Sequence, residues 1–144
     1  MNPLVLTIDD DPAITDLLSV LLSANGFDVL VANSGKDGLR MISEHSPRII
    51  VLDLMMPDTD GWQVCKAARA FSSVPILILS ALDEPSIVAG ILDQGADDYL
   101  VKPVPSAVLV AHLNKLARRT ETFARFPHDR SRWRPSITGP LPPP

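Results

Sequence analysis

LVLTIDDDPAITDLLSVLLSANG, residues 4–26, contains one complete strand-to-helix unit, and its reading decides the fold. Leu4 to Ile8 is a largely apolar run of strand length. Asp9, Asp10 and Asp11 follow, then Pro12. Asp11 stands where a helix N-cap belongs, and Pro12 at the first helical position sacrifices no hydrogen bond, because that N–H has no partner inside a helix. Ile14, Leu17, Leu18, Leu21 and Leu22 recur at helical spacing, and Gly26 ends the run. A strand feeding an amphipathic helix is the unit from which parallel sheets are built.

The same unit returns four times. Val29 to Ala32 reads as a second strand, and Ser34 caps a helix carrying Leu39, Met41 and Ile42 that Pro47 stops. Ile49 to Leu52 is the third strand, followed by a helix from near Gly61 to near Phe71. Ile76 to Leu79 is apolar on both faces, as a central parallel strand must be. Pro85 opens a fourth helix with the stripe Ile87, Val88, Ile91 and Leu92, and Gly95 sits at its C′ position. Tyr99 to Val101 is the fifth strand. From Ser106, the stripe Leu109, Leu113 and Leu116 predicts a last helix ending at Arg118 and Arg119, where cations suit the helix dipole. Five such units define an α/β fold around a five-stranded parallel sheet.

A chain of 144 residues suits one domain plus a tail. The domain is expected over residues 1–120. Six of the 14 prolines follow Phe126, among Arg130, Arg132, Trp133 and Arg134, so residues 121–144 are expected to form a Pro/Arg-rich tail or linker without a packed core. With 46% apolar and 21% charged residues the composition is that of a soluble protein, and no run approaches the ~18 apolar residues of a membrane span. No signal-peptide pattern opens the sequence, so the cytoplasm is the expected location, with no membrane association. A net charge of -4 argues against direct nucleic-acid binding. Cys65, the single cysteine, reads as a small buried hydrophobe on a helix. His45, His112 and His128 are too scattered for a metal cluster and are expected at the surface or an interface. Gly35-Lys36 lacks P-loop spacing, and there is no GxGxxG.

In an open parallel sheet, ligands bind beyond the carboxyl ends of the strands. Asp9, Asp10 and Asp11 follow the first strand and Asp53 the third, Ser80 ends the fourth, and Lys102 follows the fifth. Central strands would gather these groups in one pocket. Two carboxylates ~5 Å apart at an effective dielectric of ~20 repel by about 3 kcal/mol, which a divalent cation offsets. Mg²⁺ suits the site, because it takes one or two carboxylates, keeps waters and accepts phosphate oxygens. Lys102 is then free for a phosphoryl oxygen, Ser80 has a hydrogen bond to donate, and Asp53 supplies a carboxylate nucleophile. Asp11 is expected to serve only as the helix cap.

These residues closely resemble the receiver domain of bacterial two-component response regulators. The resemblance runs from about Leu4 to Arg119. It rests on Ile8-Asp9-Asp10-Asp11, on the segment Asp53 to Gly61, on Ser80-Ala81, and on Gly95-Ala96-Asp97-Asp98-Tyr99-Leu100-Val101-Lys102-Pro103. It implies a flavodoxin-like doubly wound (βα)5 fold with strand order 2-1-3-4-5. It also implies Asp53 as phosphoacceptor, Asp9 and Asp10 with the Met55 backbone carbonyl as Mg²⁺ ligands, and Mn²⁺ as a possible substitute. Ser80 and Tyr99 would be the switch pair, Lys102 the phosphate-binding lysine, Pro103 the residue of a cis bond, and Ala81 a small residue that admits the phosphoryl group. The implied donor is a sensor histidine kinase or phosphotransfer protein. The receiver would assist its own phosphorylation and dephosphorylation.

Asp97-Asp98-Tyr99 resembles the OmpR-like winged-helix subclass. That implies a homodimer through the fourth helix, fifth strand and fifth helix, with Arg118 or Arg119 pairing those acids across a two-fold axis. Met55 and Leu82 lie two residues beyond Asp53 and Ser80. Neither can orient an attacking water, so a long phosphorylated lifetime is expected. Two alternatives stand beside the switch. One is the receiver half of a DNA-binding transcription factor whose output domain is absent. The other is a phosphatase of the haloacid-dehalogenase kind with Asp9 as nucleophile, although position 13 is Ala and no cap domain fits.

Overall fold

β1 (Leu4–Ile8) lies second in a five-stranded parallel sheet, between β2 (Asp28–Ala32) and β3 (Ile49–Leu52), with β4 (Ile76–Ser80) and β5 (Asp98–Val101) continuing beyond β3. The order 2-1-3-4-5 is the one expected from the resemblance. In the computed structural model, residues 2–57 and 59–125 are described, with side chains through Arg119. Five helices connect and cover the strands: α1 (Pro12–Ala24), α2 (Gly35–His45), α3 (Gly61–Arg69), α4 (Pro85–Gln94) and α5 (Ser106–Arg125).

Period-two alternation sends successive strand side chains into two separate cores. Leu6, Ile8, Ile50, Leu52, Ile76 and Ile78 pack on one face with Ile42 of α2, Val64 and Ala68 of α3 and Ile91 of α4. Val5, Ile49, Val51, Leu77 and Leu79 pack on the other with Leu18 and Leu22 of α1 and Leu109, Leu113 and Leu116 of α5. All of β3 and β4 is buried, which explains why neither strand shows polar alternation. Cys65 is fully buried, as expected.

The helix signals act as read. Asp11 caps α1 by accepting from the Ala13 N–H at 3.0 Å, and Ser34 caps α2 through the Asp37 N–H at 3.1 Å. Gly95 ends α4 at φ +132°, a conformation that a side chain would strain. β2 and β5 each start one residue earlier than expected, because Asp28 pairs in register with Leu4 and Asp98 with Leu77.

One expectation is corrected. α5 does not end at Arg118 and Arg119 but runs to Arg125. Residues 120–125 contain neither Pro nor Gly, and the breakers begin only at Pro127, so nothing local stops the helix. The rest of the expected tail, residues 126–144, lies outside the described residues.

At the amino ends of β4 and β5, Asp97 forms a knot. Its Oδ2 accepts from the Ile76 N–H at 2.9 Å and from Arg69 Nη2 at 2.7 Å, while Oδ1 accepts from Arg119 Nη2 at 3.3 Å. Arg69 also donates to the carbonyls of Gly95 and Ser72. Asp98 is held by His112 of α5. The acids expected to pair across a two-fold axis are thus engaged within their own chain, Arg119 included.

Candidate functional site

Parallel pairing brings the carboxyl ends of β1, β3, β4 and β5 to one edge, and the polar residues sit there. Ile8 pairs with Leu52, which places Asp9 beside Asp53, and the Asp53 N–H donates to the Ile8 carbonyl at 3.0 Å. Ser80 pairs with Val101, which sets Lys102 next to the strand that ends in the hydroxyl. Ligand oxygens of Asp9, Asp10 and Asp53 all lie within 4.8 Å of one another. Two adjacent acids behind β1 and a distant one behind β3 therefore converge.

Lys102 bridges the pair, its Nζ 3.1 Å from Asp9 Oδ2 and 3.6 Å from Asp53 Oδ2. The Met55 N–H donates to Asp53 Oδ1 at 3.3 Å. Burial nevertheless raises the Asp53 carboxyl above its ordinary value. The Met55 N–H and Lys102 oppose the rise, Asp9 adds to it, and the Ser80 hydroxyl opposes it. Asp9 is 5% exposed and Asp10 is exposed. The Asp10 carboxylate has no hydrogen-bond or ion-pair partner among the described residues. Asp9, Asp10 and Asp53 are thus a cluster able to hold a metal ion. Three hard oxygen donors, one of them uncommitted, match what Mg²⁺ selects.

Ser80 is fully buried, and its Oγ accepts from the Leu82 N–H at 3.3 Å. Tyr99 is half-buried, and its hydroxyl donates to the Leu82 carbonyl at 2.6 Å. Burial raises the Tyr99 pKa, so this donor keeps its proton at neutral pH. That bond ties the Tyr99 hydroxyl to the β4–α4 loop. Ala81 is exposed beside the pocket, and the Lys102–Pro103 peptide is cis. Met55 is 56% exposed, at the rim.

Gly61 controls the approach of α3 to the phosphoacceptor strand. A Cβ there would lie 2.5 Å from both the Asp53 carbonyl oxygen and Leu54 Cα, which are backbone atoms that cannot swing aside. Gly61→Ala is expected to cost about 1–3 kcal/mol, read as a lower urea midpoint. A midpoint equal to that of the parent chain contradicts this packing.

Sequence reasoning overlooked Asn33. Its Nδ2 donates to the Asp9 carbonyl at 2.8 Å and to Thr15 Oγ1 at 3.1 Å. Asn33 follows β2 as Asp9 follows β1, so the strand-end rule finds it when applied to all five strands.

The chain matches the response regulator receiver domain family over residues 5–114. It is 44% identical over 120 residues to the transcriptional regulatory protein AfsQ1 of Streptomyces coelicolor, covering 83% of this chain and 53% of that protein. It is 40% identical over 122 residues to the DNA-binding response regulator MtrA of Mycolicibacterium smegmatis, covering 84% and 53%. Among solved structures, the receiver domain of the Francisella response regulator 1452 superposes with a TM-score of 0.79 at 39% identity, over 83% of this chain and 99% of that one. The BeF3-activated N-terminal receiver domain of Klebsiella pneumoniae RstA gives 0.77 at 32% identity, over 80% and 98%.

The chain belongs to the response regulator receiver domain family, and its relatives are of the OmpR kind. It is a signalling module of two-component systems, and the haloacid-dehalogenase alternative is set aside. It spans about half the length of the curated relatives it matches. No helix among the described residues is long and apolar enough to cross a membrane.

Proposed function

We propose that this receiver accepts a phosphoryl group on Asp53 from a sensor histidine kinase or phosphotransfer protein, in a Mg²⁺-dependent reaction in the cytoplasm. The observation that carries this reading is the convergence of Asp9, Asp10 and Asp53 within 4.8 Å, with Lys102 bridging two of them. An Asp53 carboxylate oxygen bonds to phosphorus while the bond from phosphorus to the donor's imidazole nitrogen breaks. Asp9, Asp10, Asp53 and the Met55 carbonyl would hold the metal, which when bound neutralises charge on the transferring group. Lys102 shifts from the carboxylates to a phosphoryl oxygen, Ser80 donates to another, and small Ala81 leaves the approach open. The chain thereby assists its own phosphorylation and dephosphorylation. Incubation with Mg²⁺ and acetyl phosphate should add the mass of one phosphoryl group, mapped to the peptide holding Asp53. No added mass, or mass on another peptide, overturns the assignment.

Met55 and Leu82 flank the site without a group to orient water, so the phosphorylated form should persist for minutes or longer. Loss of the added mass within seconds, without a phosphatase, counts against this.

Phosphorylation adds about -1.5 to -2 charge beside Ser80, and Tyr99 transmits the change to α4, β5 and α5. That face is proposed to pair two copies of the chain. With Asp97 and Asp98 engaged internally, the support comes from Leu92, Val101 and Val108, which are 39%, 40% and 39% exposed. Sedimentation should show a beryllofluoride-dependent dimer; the same monomer in both states removes the idea.

The receiver proper is proposed to end near residue 120, with the last turns of α5 leading into a linker or tail over 121–144. A second reading makes the chain the receiver half of a DNA-binding factor, favoured by its 53% coverage of a relative named as a DNA-binding response regulator. A stop codon directly after Pro144 in the transcript would exclude it.

A further inference from the structure

We propose that Asn33 is a positioning residue for the metal-binding acids, setting the direction of Asp10 and thereby the selectivity of the site for Mg²⁺. The inference rests on the metal reading above. Asp9 is fixed at four points: its N–H donates to the Ala32 carbonyl at 3.1 Å, its Oδ1 accepts from the Asp11 N–H at 3.0 Å, its Oδ2 takes Lys102, and its carbonyl accepts from Asn33. Asp10 has no such anchors among the described residues. Its carboxylate is aimed through the backbone on either side of it; the Asp11 N–H on Asp9 Oδ1 holds the following peptide, and the preceding stretch of backbone needs its own support.

That backbone is the Asp9–Asp10 peptide. The Asp9 carbonyl, the Asp10 N–H and the Asp10 Cα lie in one plane, so a donor that fixes the carbonyl fixes where Asp10 leaves the turn. Asn33 is that donor. Its two amide hydrogens serve the Asp9 carbonyl and the Thr15 hydroxyl, which itself donates to the Pro12 carbonyl at 3.2 Å. Thr15 is 1% exposed, so this second anchor is rigid. The β1–α1 turn is therefore clamped at both ends by one side chain on β2's carboxyl end.

Supports behind a metal ligand typically change affinity by about 10- to 100-fold when removed. The ion should matter here too. Mg²⁺ demands near-octahedral geometry, whereas Ca²⁺ tolerates irregular sites with more ligands. A loosened Asp10 should therefore penalise Mg²⁺ more than Ca²⁺.

The test is a titration of the ¹⁵N-labelled chain with Mg²⁺ and separately with Ca²⁺, reading dissociation constants from amide shifts without any phosphodonor. Asn33→Ala should weaken Mg²⁺ by roughly tenfold and Ca²⁺ by less than about threefold. Thr15→Val removes the second anchor but leaves the bond to the Asp9 carbonyl; it should lower the melting temperature and weaken Mg²⁺ clearly less than Asn33→Ala does. Unchanged Mg²⁺ affinity in Asn33→Ala, an equal loss for both ions, or an equal Mg²⁺ loss in Thr15→Val overturns the role. A parent chain that binds no Mg²⁺ instead overturns the metal reading itself, so the two failures are distinguishable.

Discussion

Asp53→Asn is expected to reduce phosphoryl uptake from acetyl phosphate to background and, in metal-free buffer, to make the protein more stable at neutral pH. The first effect follows from removing the nucleophile. The second follows from burial, which raises the Asp53 pKa above its unfolded value of 3.8. The folded state then binds this proton more tightly than the unfolded state, so stability falls as pH rises from the unfolded pKa through the folded one. At neutral pH the ionised carboxylate opposes folding, and Asn removes that opposition. Below the unfolded pKa both states are protonated and the advantage should vanish. Lys102 is not orphaned by the change, because Asp9 Oδ2 stays 3.1 Å away. Urea melts of both chains in EDTA at neutral pH and near pH 3 test the stability arm. Phosphoryl uptake that survives in the variant, or a variant less stable at neutral pH, contradicts this account.

Asp97→Ala should cost about 2–3 kcal/mol of folding stability while leaving the pocket's residues in place. One carboxylate serves the Ile76 N–H, Arg69 and Arg119, so truncation takes an acceptor from a strand amide and two guanidinium groups, with Arg69 keeping the Gly95 and Ser72 carbonyls. Breaking a buried pair costs about 3–5 kcal/mol, but Arg69 and Asp97 are 21% and 19% exposed, and water recovers part of that. Asp97→Asn keeps an acceptor for the Ile76 N–H and should lose roughly half as much. A loss below ~0.5 kcal/mol for the alanine variant, the range of ordinary surface changes, shows that the knot contributes little.

Most strands and helices are legible because their boundaries carry a local chemical mark. Asp11 with Pro12, Ser34 and Gly95 all act as their residue types suggest. Asp9, Asp53, Ser80 and Lys102 were legible because strand order places their strands side by side. The role of Asp97 was not, since an acid in a charge run carries no record of whether its partner is in the same chain or another. The end of α5 differs from the expectation because cations such as Arg118 and Arg119 suit a helix C-terminus without stopping the helix, which ends only where a breaker occurs. Asn33 went unnoticed because it carries neither charge nor nucleophile, and its importance lies in which carbonyl it faces.

The sheet is also a wall between two chambers. Val5 and Leu6 are neighbours in the chain yet face different helices, and the same holds for Leu77 and Ile78. Substitutions on opposite sides share no cavity, so their energetic effects should sum to within about 0.5 kcal/mol, whereas changes inside one chamber should not. An engineer can therefore restock the α1/α5 side for thermal tolerance while leaving untouched the lining that supports α4.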